Sequence, residues 1–322
     1  MRRLLRALLV ALMFAFCAGA IAQAPFPTRP VRIVLPYAAG GGGDQFTRIF
    51  AAALSDLWQQ PVVVENRPGA GATIGTDAVA KSAPDGYTLL LIAGTIAVTP
   101  AAYPNLPYDV FRDLVPICLL VRSPFIVAVN PSVPVNTLEE FLRYGKTNPG
   151  KLNFGHAGNG TMSHLIYEIL KARTGFNATV VAYKGSNPAM LDALSGQVDF
   201  IVDTPAAIGQ HVKANKLRPI AATTAKRAAS MPNVPTISES GLEGFDVAVW
   251  FGLMAPAGTQ PVLVRKINAD ALRAFIASDI PARLGVLGME PYTHSSAEFG
   301  ELLRTEVARW AQVVKAANIK FD

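Results

Sequence analysis

The feature that most constrains the fold of this chain is its alternation of short β-branched runs with amphipathic stretches of helical period. Residues 31–35 predict a strand, and residues 36–43 form a glycine-rich loop after it. From Phe46 to Leu57 the apolar positions follow the i, i+3, i+4, i+7 spacing of a helix, for which Asp44 is the expected N-cap. This alternation is typical of an α/β protein with mainly parallel sheets and flanking helices.

A second unit of the same kind begins about 120 residues later. Residues 151–154 predict a strand, residues 155–160 a loop, and an apolar stripe starting near Thr161 a helix. A further helix is expected to open at Pro188 and to end at Gly196. The remaining strands are expected at residues 62–64, 88–92, 179–183, 198–202 and 219–223.

The C-terminal part predicts two long amphipathic helices, at residues 261–277 and 296–317. Ser295 and Glu298 have the spacing of a capping box for the second one.

Two extended segments, at residues 117–130 and 246–254, fall between the strand-helix blocks, and we interpret them as chain crossings. The length of 322 residues is that of about two domains. The first lobe is therefore predicted to be discontinuous, with residues 23–123 and 248–322, and the second to comprise residues 124–247.

Residues 1–22 have the layout of a cleaved signal peptide, with a basic start, an apolar stretch and the small residues Ala20 and Ala22 before the expected new terminus, Gln23. The mature protein would be periplasmic. Lipidation at Cys17 and an uncleaved anchor are the alternatives. Three Arg lie in this leader, so the net charge falls from +6 to +3 without it. Because no basic cluster remains, a nucleic-acid partner is not expected.

Few residues of this sequence suit redox or metal chemistry. Cys118 is the only thiol after residue 22, which rules out a disulfide within the mature chain. One Cys and four His do not match a structural zinc site, and we expect neither a metal nor a cofactor.

The two glycine-rich loops are the candidate binding elements. A turn from a strand into a helix leaves backbone amides unpaired beside the positive end of the helix dipole, which suits an anion. Loops at the carboxyl ends of strands in two facing lobes would meet across a cleft. The alternative is that the glycines only allow tight turns or close packing.

Several established motifs are absent from the sequence. Asp44 and Gln45 follow the glycines where a phosphate loop requires Lys and Ser or Thr. Residues 69–75 read G-x-G-x-x-x-G, but the next strand ends without the carboxylate of a dinucleotide site. No G-x-S-x-G or H-E-x-x-H motif occurs.

Three side chains leave open alternatives. His164 suits a cap or packing residue as well as a base, and Lys184 a solvated loop charge as well as a reactive amine. Asp203, at the end of an apolar run, suits a ligand acceptor as well as a helix cap.

Several blocks together resemble the Bug-type periplasmic solute-binding proteins, the receptors of tripartite tricarboxylate transporters. The blocks are residues 36–48 (PYAAGGGGDQFTR), 155–165 (GHAGNGTMSHL), 183–189 (YKGSNPA), 196–199 (GQVD), 233–241 and 255–259 (APAGT). They cover nearly all of the chain after residue 22.

The resemblance implies a two-lobed flytrap fold that closes on a small carboxylate and delivers it to the membrane subunits of the transporter. The resemblance also implies that the protein is a monomer and that it is not an enzyme. The ligand-binding residues it implies are Tyr37, Ala38, Gly40, Gly41, Gly42, Gly43, Thr95, His156, Ala157, Gly158, Thr161, His164, Lys184, Ser186 and Asp203.

The sequence departs from the family pattern at His156, where Ser is frequent, and at Ala182, where Pro is frequent.

Two other functions would use the same cleft: a secreted enzyme acting on an organic acid through Lys184 or His164, and a ligand-sensing partner of a membrane sensor kinase.

Overall fold

The computed structural model describes residues 26–103, 105–183, 185–277, 279–317 and 319. The predicted signal peptide and Lys184 lie outside this part of the chain. Within it, every helix is too short or too polar to span a bilayer.

The described chain forms eleven strands and ten α-helices. The strands are β1 (Val31–Leu35), β2 (Val62–Asn66), β3 (Thr88–Ala93), β4 (Leu114–Pro124), β5 (Ile126–Val129), β6 (Asn153–His156), β7 (Thr179–Ala182), β8 (Phe200–Asp203), β9 (Arg218–Ala222), β10 (Ala248–Pro256) and β11 (Glu290–His294). The helices are α1 (Gly42–Trp58), α2 (Thr73–Ala80), α3 (Thr99–Ala102), α4 (Leu138–Thr147), α5 (Met162–Thr174), α6 (Ser186–Ser195), α7 (Pro205–Lys213), α8 (Pro261–Ala277), α9 (Ile280–Leu284) and α10 (Ser296–Ala316).

The strands form two separate sheets, which are the centres of two lobes. The first sheet has the order β11-β4-β10-β3-β1-β2, and the second has the order β7-β6-β8-β5-β9. The chain passes from the first sheet to the second between β4 and β5, and β10 returns it to the first. The predicted α/β class with two chain crossings is therefore confirmed.

Both sheets are mixed, which corrects the expectation that they are mainly parallel. In the first sheet β1 is parallel to β2 and β3, whereas β10 is antiparallel to β3 and β4. In the second, β6 is parallel to β7 and β8, whereas β5 is antiparallel to β8 and β9. The antiparallel pairs arise because the crossing strands enter each sheet against the direction of its strand-helix units.

Local signals predicted several helix ends well. The capping box is present, since Ser295 N donates to Glu298 at 2.8 Å and Glu298 N donates to Ser295 Oγ at 3.3 Å. Gly196 ends α6 in the left-handed conformation, with φ of 80°. However, α6 begins at Ser186, two residues before Pro188. The N-cap of α1 is Gly41, so the prediction that Asp44 caps this helix is wrong.

The C-terminal helix α10 joins the cores of the two lobes. It packs on β4 of the first sheet and on α5 of the second lobe. Its Phe299 and Trp310 are fully buried in one apolar cluster that also contains Phe154 and Tyr167 of the second lobe. The cleft therefore opens between two lobes that share part of their core.

Candidate functional site

A cavity of 330 Å³ lies between the lobes, where the two predicted loops meet. Pro36, Tyr37 and Ala38 line it from the loop after β1, and Thr95 lines it from the end of β3. Residues 159–161, in the loop before α5, line it from the second lobe. The structure thus brings together two chain segments that are more than 100 residues apart.

The Tyr37 hydroxyl is held at the strand ends of the first lobe. It lies 2.6 Å from Thr95 Oγ1 and accepts a hydrogen bond from Ala93 N at 3.1 Å. Burial raises the pKa of Tyr37 to about 12, despite opposing hydrogen bonds. The hydroxyl is therefore protonated at neutral pH, and the Tyr37–Thr95 pair presents uncharged polar oxygens to the cavity.

The four glycines at residues 40–43 adjoin the cavity loop, but none of them lines the cavity itself. A Cβ on Gly43 would come within 2.8 Å of the Phe251 ring, so close packing requires this glycine. A Cβ on Gly41 would meet nothing within 4 Å. The structure therefore assigns part of this glycine run to packing, one of the alternatives that the sequence left open.

The buried carboxylate of Asp44 stabilises the glycine-rich loop after β1 through hydrogen bonds. It accepts hydrogen bonds from Gly40 N at 3.0 Å, Asn66 Nδ2 at 2.9 Å and Arg48 Nε at 3.0 Å. Burial opposes ionisation, but these bonds outweigh it and lower the pKa of Asp44. Its negative charge in the first turn of α1 offsets the positive end of that helix, so an incoming anion is less favoured there.

The N-terminus of α5 lacks such an internal anion. Its N-cap is Thr161, whose hydroxyl donates back to Gly158 O at 2.7 Å and caps no amide of the helix. The first turn of α5 contains no acidic residue. The amides of residues 162–164 have no partner within the helix, and they carry the positive end of its dipole. The start of α5 therefore favours a nearby anion more than the start of α1 does.

A second cavity, of 190 Å³, lies within the second lobe beside the same helix end. His156, Ala157, Ser186 and Asp203 line it, and Thr161 lines both cavities. The predicted residues Thr161, Ser186 and Asp203 therefore do converge. They come from the N-cap of α5, the start of α6 and the end of β8, respectively.

Asp203 is tied into the wall of this second cavity. Its carboxyl accepts hydrogen bonds from Ser186 Oγ and from Thr204 N, the latter at 2.7 Å. Burial raises the pKa of Asp203, and the hydrogen bonds only partly compensate. The N-cap of α7 is Thr204, so Asp203 is not the cap residue.

The two predicted histidines stack on each other, with ring centroids 4.5 Å apart. Burial, and then the proximity of His164, lower the pKa of His156 to about 4, so this ring is neutral at physiological pH. His164 lines neither cavity: its Nδ1 accepts from Gly160 N at 3.1 Å, and its Nε2 lies 3.7 Å from Glu168 Oε1. His164 thus stabilises the loop before α5 through its hydrogen bond with Gly160.

Sequence reasoning missed part of the first-lobe wall. Pro68, Gly69, Gly71 and Ala72 line the interlobe cavity. Gly71 and Ala72 have φ of 60° and 77°. The G-x-G-x-x-x-G pattern at residues 69–75 coincides with this turn, but its spacing resembles a dinucleotide motif and does not indicate a cleft wall. Over the described residues no group of three or more His, Cys, Asp or Glu is placed to hold a metal ion.

Two lobes joined by crossing strands, with loops from both lobes around a shared cavity, define a solute-binding protein of the periplasmic type. The family model described as "Tripartite tricarboxylate transporter family receptor" matches residues 46–319. The chain belongs to this family of receptors. Because they are binding proteins, the enzyme alternative through Lys184 or His164 is set aside.

Similar proteins agree with this assignment. Protein BugT of Bordetella pertussis is 34% identical, with 99% of each chain covered. The structure of Rpa4515 from R. palustris with adipate is 35% identical, with a TM-score of 0.80 over 92% of this chain and 99% of that one. MatC from Rhodopseudomonas palustris with bound malate is 34% identical, with a TM-score of 0.76 over 90% and 100% of the chains.

Proposed function

We propose that this protein captures a small carboxylate in its interlobe cleft and presents it to the membrane subunits of a tripartite tricarboxylate transporter. The observation that carries the proposal is the cavity shared by residues 36–38 and 159–161 beside the uncapped N-terminus of α5. Two similar structures, Rpa4515 with adipate and MatC with bound malate, support a carboxylate as the ligand class.

The energetics favour a ligand held by both lobes at once. Hydrogen bonds to a charged group contribute about 1.5–3 kcal/mol each, and a helix dipole adds up to about 2 kcal/mol. Two such bonds at α5 together with its dipole then total about 3–8 kcal/mol, whereas association costs about 4–15 kcal/mol. Contacts from Tyr37, Ala38 and Thr95 must supply the rest. Because these contacts need both lobes, the ligand shifts the protein toward the closed form.

The proposal extends to the processing and division of the chain. The signal peptide, residues 1–22, is removed before Gln23, and the receptor acts in the periplasm as a monomer. The hinge separates a first lobe of residues 23–123 and 248–322 from a second lobe of residues 124–247. The two sheets support this division, since β1–β4 and β10–β11 build one and β5–β9 the other.

A carboxylate panel tests the proposal. We expect one of succinate, adipate, malate, citrate, glutamate or benzoate to bind with 1:1 stoichiometry in calorimetry and to raise the melting temperature by several degrees. Ala38→Trp fills the cavity from an exposed position, so it should weaken binding at least tenfold without loss of stability. Ala52→Trp, on the exposed side of α1, is the matched control. Absence of binding by every acid in the panel would refute the proposal.

A further inference from the structure

The side chain of His164 connects the start of α5 to the loop before it. His164 lies in the first turn of this helix, three positions after the N-cap Thr161, and is only 9% exposed. It lines neither of the two cavities described above. Its Nδ1 accepts a hydrogen bond from Gly160 N at 3.1 Å, and Gly160 lines the interlobe cavity. A side chain outside the cavity is therefore bonded to the backbone of its wall.

The bond to Gly160 fixes the protonation state of the ring. A backbone N–H can only donate, so Nδ1 of His164 must carry a lone pair and the ring proton must be on Nε2. Nε2 lies 3.7 Å from Glu168 Oε1, on the side where a negative charge favours a proton. A ring protonated on both nitrogens would direct a hydrogen from Nδ1 at the N–H of Gly160. The charged form of His164 therefore breaks this bond.

The other hydrogen bonds of the loop are centred on Gly158. Its carbonyl oxygen accepts from Thr161 N at 3.2 Å and from Thr161 Oγ1 at 2.7 Å. Its backbone also contacts Nδ1 of His156. These bonds lie at the first half of the loop, whereas the bond to His164 holds the second half, at Gly160. Loss of that bond should therefore change the backbone that faces the ligand.

The ionisable groups around the ring decide what a charge on His164 does to a bound anion. His156 stacks on the ring at 4.5 Å, and burial, and then the proximity of His164, lower the pKa of His156 to about 4. On α5, Glu168 lies 3.7 Å from His164 and also 3.7 Å from Lys171 Nζ. The α10 residues that line the groove at Glu168 are uncharged, and Asp203, at the end of β8, lines the second cavity. The nearby Glu168 offsets a positive charge on His164, so loss of the Gly160 bond dominates.

We propose that His164 positions the ligand loop through an unprotonated Nδ1, and that protonation of its ring weakens carboxylate binding. The inference rests on the proposed function, because it requires a carboxylate to bind beside this loop. Imidazole rings change charge between about pH 5 and 8. The receptor then holds its ligand at neutral pH and releases it more readily in acid, and His164 is a positioning residue that does not contact the ligand.

Nitrogen-15 NMR of the imidazole rings tests the protonation state on the ligand-free protein. The signals of His164 are those missing from the spectrum of the variant His164→Asn. At about pH 7.5 we expect the neutral tautomer with its proton on Nε2. A proton on Nδ1, in the other neutral tautomer or in a charged ring, would overturn the inference whether or not an acid binds.

Calorimetry tests the effect on binding, with succinate, adipate, malate, citrate, glutamate and benzoate as probes. His164→Asn keeps an acceptor oxygen near the position of Nδ1 but does not titrate, whereas His164→Leu removes the acceptor. For an acid that binds, we expect His164→Leu to lower the affinity at least about tenfold at about pH 7.5, and His164→Asn to stay within about threefold of the wild type. From about pH 7.5 to 5.5, the wild type should lose at least about fivefold more affinity than His164→Asn.

The comparison of wild type with His164→Asn isolates one titrating group, because protonation of the ligand, of His156 or of Asp203 affects both proteins. His211→Asn, on α7, is the matched control and should keep the pH dependence of the wild type. Equal acid dependence in wild type and His164→Asn, or wild-type affinity in His164→Leu, would overturn this inference alone. If none of the six acids binds the wild type, the proposed function fails as well. The comparison with His164→Asn remains decisive if His164→Leu does not fold.

Discussion

The buried carboxylate of Asp44 offers a sharp test of how the first-lobe loop is built. Asp44→Ala removes the acceptor for Gly40 N, Asn66 Nδ2 and Arg48 Nε at once. Asn66 Nδ2 also donates to Tyr37 O at 3.0 Å, so the same network positions the loop that lines the cavity. We therefore expect a loss of both stability and binding.

The expected loss of unfolding free energy depends on how exposed each hydrogen-bond partner of Asp44 is. The Arg48 side chain is 51% exposed, so its ion pair contributes at most about 1 kcal/mol. The unpaired groups of Gly40 and Asn66 cost about 1–3 kcal/mol each, and water recovers part of this at Gly40. We expect Asp44→Ala to lower the free energy of unfolding by about 2–4 kcal/mol, and Asp44→Asn, which keeps one acceptor oxygen, by about half as much.

Urea unfolding followed by tryptophan fluorescence measures this loss, with Asp56→Ala at an exposed position of the same helix as control. The pH dependence has a defined sign. Because the pKa of Asp44 is lower in the folded protein, its contribution is present above the unfolded pKa and is lost as the pH falls through the folded one. The difference between the wild type and Asp44→Ala should therefore shrink in acid. A loss below about 0.5 kcal/mol at pH 7, or one that does not depend on pH, would refute the reasoning.

Two further predictions concern the shared core. Trp310→Ala removes a fully buried side chain where α10 joins the lobes, and it should lower the free energy of unfolding in urea by about 3–5 kcal/mol. Val286→Ala, at a site 84% exposed, is the control. A loss below about 1 kcal/mol in Trp310→Ala would contradict the core assignment. Cys118 is buried, and burial raises the pKa of its thiol to about 12, so in protein starting at residue 23 a disulfide reagent should label it only after unfolding. Rapid labelling of the native protein would show that β4 is more accessible than the structure indicates.

The parts of the fold that depend on local spacing could be predicted from the sequence. Strand β1 and helix α8 have the predicted bounds, and the Ser295 capping box forms as expected. Such features require interactions only within a few residues, whose identities the sequence displays directly. The positions of both loops could be predicted for the same reason, because each follows a β-branched run and precedes an amphipathic one.

The residues that contact the two loops and line the cavities could not be predicted, because they depend on contacts between segments distant in the sequence. Asp is a residue type typical of helix N-caps, yet the buried Asp44 carboxylate accepts a hydrogen bond from Asn66 and stabilises the loop. His156 and His164 have similar local settings, but of the two only His156 lines one of the two cavities described above. The G-x-G-x-x-x-G turn at residues 69–75 contributes to the cleft wall, which its spacing did not indicate.

The sequence by itself determined the strand-helix order, several helix ends and the two glycine-rich loops, because periodicity and capping are interactions between near neighbours. Only the tertiary structure decided the strand directions in the mixed sheets, the residues that face each other across the cleft, and which of the two stacked histidines lines the second-lobe cavity. These depend on contacts between segments that are distant in the sequence, whose relative placement is set by packing of both sheets and of α10.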